Sequence, residues 1–124
     1  MYSAAIYITV LFFACMGITA LFSPTSVTKF FGLKTIRADM RNEVRAVYGG
    51  FGVAIAGLLT ASTFYSEVQQ GVVLTVAVAL FGMAAGRLLS FAIEHSEGHY
   101  PVVFLVVECV LGSLMLYVYS SSTV

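Results

Sequence analysis

Along the chain, long apolar runs alternate with short polar links, and four of the runs are long enough to cross a bilayer as helices. A helix rises 1.5 Å per residue, so about 20 apolar residues span the hydrocarbon core. The runs cover roughly 3–23, 42–65, 71–93 and 100–120. Pro24 closes the first, because proline cannot continue a helix. Pro101 sits in the first turn of the last, where proline is tolerated. The links around Glu67 and Glu97 are short, which makes neighbouring helices antiparallel. The long link, residues 24–41, carries Phe30-Phe31-Gly32-Leu33 between Lys29 and Lys34. That mixture suits a short stretch at the interface, apolar side in lipid and lysines in water; an ordered loop is the plainer alternative. The pattern predicts an all-α fold: one integral membrane domain over 1–124, an up-down antiparallel four-helix transmembrane bundle with a short interfacial element between helices 1 and 2.

Composition narrows the class. Apolar residues make up 60% of the 124 and charged residues 10%, with six basic and six acidic side chains and a net charge of zero. A soluble domain is about 25% charged, so a water-soluble globule and a disordered chain are both excluded. Nucleic-acid binding is excluded too, because it needs a basic footprint. Membrane lipid is the first partner this composition implies. The N-terminal run lacks a basic n-region and is too long for a signal peptide, so it reads as a retained helix. The missing basic start also speaks against a lipoprotein cleavage site at Phe12-Phe13-Ala14-Cys15. Cys15 and Cys109 lie in separate apolar runs and read as free thiols.

Orientation follows from lysine and arginine. The first link holds Lys29, Lys34, Arg37 and Arg41; the second holds none; the third holds Glu94, His95, Glu97 and His99 but no Lys or Arg. The first link is therefore expected in the cytoplasm and both termini in the periplasm of a bacterial inner membrane.

The informative residues are charges inside the apolar runs, each costing at least about 2.5–3.5 kcal/mol on insertion scales. Helix 2 carries Glu43 and Arg45, helix 3 Arg87 and helix 4 Glu108; helix 1 carries none. At 1.5 Å per residue, Arg87 lies about 9 Å and Glu108 about 12 Å from the cytoplasmic ends of their helices. The antiparallel alternation brings all four charges to the same half of the bilayer. By α-helical phase Arg45, Tyr48, Gly49 and Gly52 share a face, whereas Glu43 points elsewhere or lies at the rim. The expectation is a guanidinium–carboxylate pair between Glu108 and Arg87 or Arg45, with Tyr48 and Ser90 supplying hydroxyls. Arginine's planar fork suits bidentate pairing with carboxylate, and equally with phosphate. Such a cluster either locks helices 2, 3 and 4 together or forms a polar recess for a ligand. Gly49, Gly50 and Gly52 on helix 2, and the GxxxG step Gly82–Gly86 on helix 3, are expected at close helix contacts, within the molecule or between copies.

Other chemistry is missing. His95 and His99 fall in a link without metal-ligand partners, and no phosphate loop or nucleophile–histidine set is present. Neither a cofactor nor a catalytic residue is expected, and an enzyme is not the favoured reading.

The stretch Asn42-Glu43-Val44-Arg45-Ala46-Val47-Tyr48-Gly49-Gly50 resembles a bacterial family of small four-helix membrane proteins, the domain of unknown function number 4345. The resemblance continues in Phe31-Gly32-Leu33, in Gly86-Arg87-Leu88 and in Glu108, and runs along nearly the whole chain. It implies no activity, but singles out Glu43, Arg45, Tyr48, Gly49, Gly50, Arg87 and Glu108. The reading reached is a non-enzymatic membrane protein. It binds a lipid or small amphiphilic ligand between helices 2, 3 and 4, or scaffolds a membrane partner, with homo-oligomerisation open. The rivals are a small proton-coupled multidrug-type transporter, whose essential carboxylate would lie in helix 1, and a subunit of a larger membrane enzyme.

Overall fold

In lipid every backbone N–H and C=O must find its partner inside the chain, and the apolar runs meet that demand as helices. A computed structural model describes residues 2–95 and 98–123; Glu97, in the third link, lies outside them. The elements are α1 (Tyr2–Phe22), α2 (Pro24–Thr28), a 3₁₀ turn (Lys29–Phe31), α3 (Ala38–Val44), a π-helical turn (Arg45–Gly50), α4 (Phe51–Ser62), α5 (Ser66–Ile93) and α6 (Tyr100–Ser122). No strand occurs among the described residues. α3, the π turn and α4 run on as one span, Ala38–Ser62, so four helices are long and apolar enough to cross a membrane. They form the four-helix membrane bundle. We call the end carrying α2 and the 3₁₀ turn the basic end, and the opposite end the far end.

Three boundaries move by three residues or more from their expected places, the end of the second span falling at Ser62 rather than 65. The second span opens at Ala38 rather than 42, because residues 38–42 contain no helix breaker and Asp39 favours a first turn. Arg41 steadies the entry by donating from Nη1 to the Ile36 carbonyl at 2.6 Å. α5 opens at Ser66 rather than 71, with Glu67 in its first turn. The second link shrinks to residues 63–65, and Gln69 Nε2 ties it down by donating to the Ser62 carbonyl at 3.2 Å.

One apolar core joins all four spans: Ile6 and Phe13 from α1, Leu59 from α4, Val76 and Leu80 from α5, and Met115 from α6 are buried together. The remaining faces, such as Leu11, Val78, Leu89 and Val106, point outward, where lipid tails are as apolar as the side chains. Buried hydroxyls are satisfied locally: Thr9 donates to the Ala5 carbonyl and Ser62 to that of Leu59.

α1 and the second span meet backbone to backbone. A Cβ on Gly17 would stand 2.7 Å from the Val53 nitrogen, one on Gly52 3.0 Å from the Gly17 Cα, and one on Gly49 2.8 Å from Leu21 Cδ2. Only glycine permits this crossing. Gly82 and Gly86 differ from the expectation of contact within the molecule: a Cβ on either would meet nothing within 4 Å. Gly50 too faces away from the other helices, with only the carbonyl of Arg45, in its own turn, within that range.

Candidate functional site

The site begins with a topological fact. α5 climbs toward the basic end and α6 descends from it, so Arg87 and Glu108 reach the same level from opposite directions. α6 packs closely along α5. One turn below Glu108, Gly112 leaves room for the Phe81 ring of α5; a Cβ there would stand 3.1 Å from two ring carbons. The close seam lets two long side chains meet with good geometry.

They meet bidentately. Arg87 Nε donates to Glu108 Oε2 at 2.8 Å and to Oε1 at 3.0 Å, and Nη2 donates to Oε1 at 2.8 Å. Glu108 is 2% exposed and Arg87 25%. A carboxylate so deeply buried is tolerable only because a cation neutralises it and hydrogen bonds occupy its oxygens. A guanidinium has five N–H donors. Two are spent here, and three make no hydrogen bond to described atoms.

Aromatic rings surround the pair. The Arg87 Cζ lies 5.3 Å from the Phe104 ring centroid and 6.0 Å from that of Tyr100, within cation–π range. Tyr100, Phe104 and Glu108 follow one another at four-residue steps and so share a face of α6. The interfacial segment then closes over them. Phe31 stacks at 5.2 Å on Tyr100 and at 6.0 Å on Tyr48, and Phe30 lies 6.1 Å from Phe104. Gly32, at φ +81°, ends the 3₁₀ turn and hydrogen-bonds back to the Lys29 carbonyl. This left-handed turn is one that glycine enters without strain. The phenylalanines thus lean partly on the bundle instead of lying wholly in lipid, while Lys29 and Lys34 stay exposed.

Not every expected residue arrives. Tyr48 is half-buried beside Phe31 and within electrostatic reach of Arg87 and Glu108, yet its hydroxyl bonds to neither. Arg45 stays outside the cluster: it is exposed, and its Nε donates to the Leu21 carbonyl at 2.9 Å, closing the C-terminal end of α1. Glu43 is exposed at the basic end, and Ser90 is exposed on the outward side of α5. The cause for Arg45 lies in the backbone. Residues 45–50 form a π turn, with the Phe51 N–H bonded to the Ala46 carbonyl five residues back. A π turn advances less per residue than the about 100° of an α-helix, so α-helical phase misplaces Arg45 against Gly52. The paired glycines, poor helix formers, mark where the ladder widens. Sequence reading passed over Phe30, Phe31, Tyr100 and Phe104 as site residues; the stripe Tyr100–Phe104–Glu108 was the available signal.

Where a recess was expected between helices 2, 3 and 4, rings pack around the pair, and the guanidinium stays partly exposed beside them. Two shallow grooves open elsewhere: one along Cys109, Val110, Ser113 and Leu114, the other between α4 and α5. Among the described residues no group of three His, Cys, Asp or Glu could hold a metal ion. Chemically, the arrangement offers planar N–H donors beside π faces, near the surface of the bundle.

The sequence model of a family described as Domain of unknown function (DUF4345) matches residues 1–119. No curated protein matches the chain. No solved structure matches it either.

Proposed function

Because the chain belongs to the Domain of unknown function (DUF4345) family, whose description assigns no activity, we propose its function from the site: it binds a lipid or small amphiphile through an anionic head group at the open edge of Arg87. One observation carries the reading. The guanidinium satisfies a buried carboxylate with two of its donors, and its other three, partly exposed and flanked by Tyr100 and Phe104, make no hydrogen bond to described residues. Such a fork accepts a phosphate or carboxylate in bidentate fashion, and the exposed Lys29 and Lys34 add positive potential nearby. The protein's role on this reading is to hold or present that ligand, not to transform it. The basic end then faces the cytoplasm of a bacterial inner membrane, in keeping with the basic first link. Proton-coupled transport fits less well, since both oxygens of Glu108 are already engaged by arginine.

The test uses purified protein in nanodiscs containing phosphatidylglycerol and phosphatidylcholine, with bound lipid counted by native mass spectrometry. Wild type is expected to retain phosphatidylglycerol preferentially. Arg87→Gln should lose the preference, and Glu108→Gln should raise it, because the freed guanidinium keeps its charge. If both variants fold and retain lipid as wild type does, the pair only locks the helices.

A further inference from the structure

The second groove lies at the opposite end of the molecule and carries opposite chemistry. It holds about 340 Å³ between α4 and α5, walled by Ile55, Leu58, Val68 and Val72. Its one hydroxyl, on Thr75, is already spent in a 2.7 Å bond to the Gly71 carbonyl. Glu67 stands at its far-end mouth, in the first turn of α5. Among the described residues Glu67 is the one charged side chain at that end: every lysine and arginine, and every other described acid, belongs to the basic half. Topology thus denies Glu67 any cationic side chain within the described chain. Exposed in the first turn of α5, where the helix dipole favours an anion, its carboxylate is open to a cation from outside.

We propose that this groove is a second binding site, for a single-chain amphiphile with a cationic ammonium head: the chain lies between α4 and α5 and the head pairs with Glu67. A methylene is close in size to the ~30 Å³ share of a water molecule, so the groove accommodates about a dozen. In a bilayer the chain itself gains little from leaving other lipid tails. Selectivity therefore rests on the head group, and Glu67 favours a cation over a neutral or anionic head. The site is independent of Arg87 and Glu108.

Photocrosslinking tests this in phosphatidylcholine nanodiscs. Three diazirine-bearing dodecyl probes are compared, with trimethylammonium, neutral oligoether and sulfate heads, and the adducts are mapped by mass spectrometry. Adducts on residues 55–58 and 68–76 are expected in the order cationic, neutral, anionic. Glu67→Gln should lower the cationic yield about threefold to fivefold, as befits a partly exposed ion pair, and level the three probes. Gly71 lines the groove and a Cβ there meets nothing within 4 Å, so Gly71→Leu places a branched side chain in it and should abolish these adducts for all three. Equal labelling by the three heads in wild type, or adducts unchanged in folded Glu67→Gln and Gly71→Leu, overturns the proposal.

Discussion

A single buried carboxylate sets the energetic stakes at the scale of the residue. Glu108 is 2% exposed and takes its hydrogen bonds from one guanidinium. Replacing Arg87 with Leu leaves that charge stranded in an apolar seam, a loss of about 3–5 kcal/mol for a broken buried pair. Glu108→Leu leaves the less buried arginine, which can turn toward water, so its cost should be smaller. Removing both charges together strands nothing, and the double variant Arg87→Leu/Glu108→Leu is expected to be more stable than Arg87→Leu alone. Thermal melting followed by size-exclusion chromatography in detergent reads the order directly. Additive damage would mean that the two side chains do not act as a pair. Arg45 offers a contrast: its bond to the Leu21 carbonyl is exposed, and Arg45→Ala should cost only about 1 kcal/mol.

Between elements, the decisive quantity is how closely two helices approach. At the α1 crossing an added methyl group at Gly17 would sit 2.7 Å from backbone nitrogen, so Gly17→Ala must push the spans apart, at about 1–3 kcal/mol. Gly82→Ala and Gly86→Ala meet open space and, by replacing a poor helix former, should hold stability or raise it by up to about 1 kcal/mol. The same melting assay separates the two classes, and a large loss at Gly82 would reveal a contact made outside the single chain. These glycines also mark how far a sequence reaches. Apolar run length sufficed for four spans, and the spacing of Arg87 and Glu108 from their helix ends sufficed to bring them to one level, though not to choose Arg87 over Arg45 as the partner of Glu108. Both inferences need only the rise of a regular helix. Glycine pattern alone could not tell the packed Gly49 and Gly52 from the open Gly82 and Gly86, because GxxxG states which face is small, not what stands opposite it. Arg45 was out of reach for another reason. Its direction depends on a π turn whose extra residue per turn leaves little trace beyond Gly49-Gly50. The aromatic shell needed the return of residues 29–33 over α6, a tertiary contact that no local period encodes.

Across the whole molecule, charge is partitioned by end. Lys29, Lys34, Arg37 and Arg41 all belong to the segment between α1 and the second span, while residues 63–65 and the link after α5 contain no lysine or arginine. Positive residues near span ends favour the cytoplasmic side, so on the proposed orientation a single link carries most of the topogenic information for the bundle. Two consequences can be measured by labelling with a membrane-impermeant maleimide in intact cells, after Cys15 and Cys109 are replaced by alanine. In that background Ser66→Cys, exposed at the far end, should react from outside, and Leu33→Cys, exposed at the basic end, only after the cells are opened. Replacing one of the four basic residues with glutamine should leave this pattern intact, since three remain. Replacing all four leaves only Arg45 and Arg87, both within the spans, to mark that end, and both positions should then label from outside in a mixed population. The bundle itself is expected to survive the change. Among the described residues Arg37 pairs with the exposed Asp39 and Arg41 bonds to the backbone of its own entry turn, and neither bonds to the Arg87–Glu108 pair. A quadruple variant that keeps one orientation would place the topogenic signal elsewhere in the chain, and the cytoplasmic placement of the Arg87 rim would then have to be argued without the basic link.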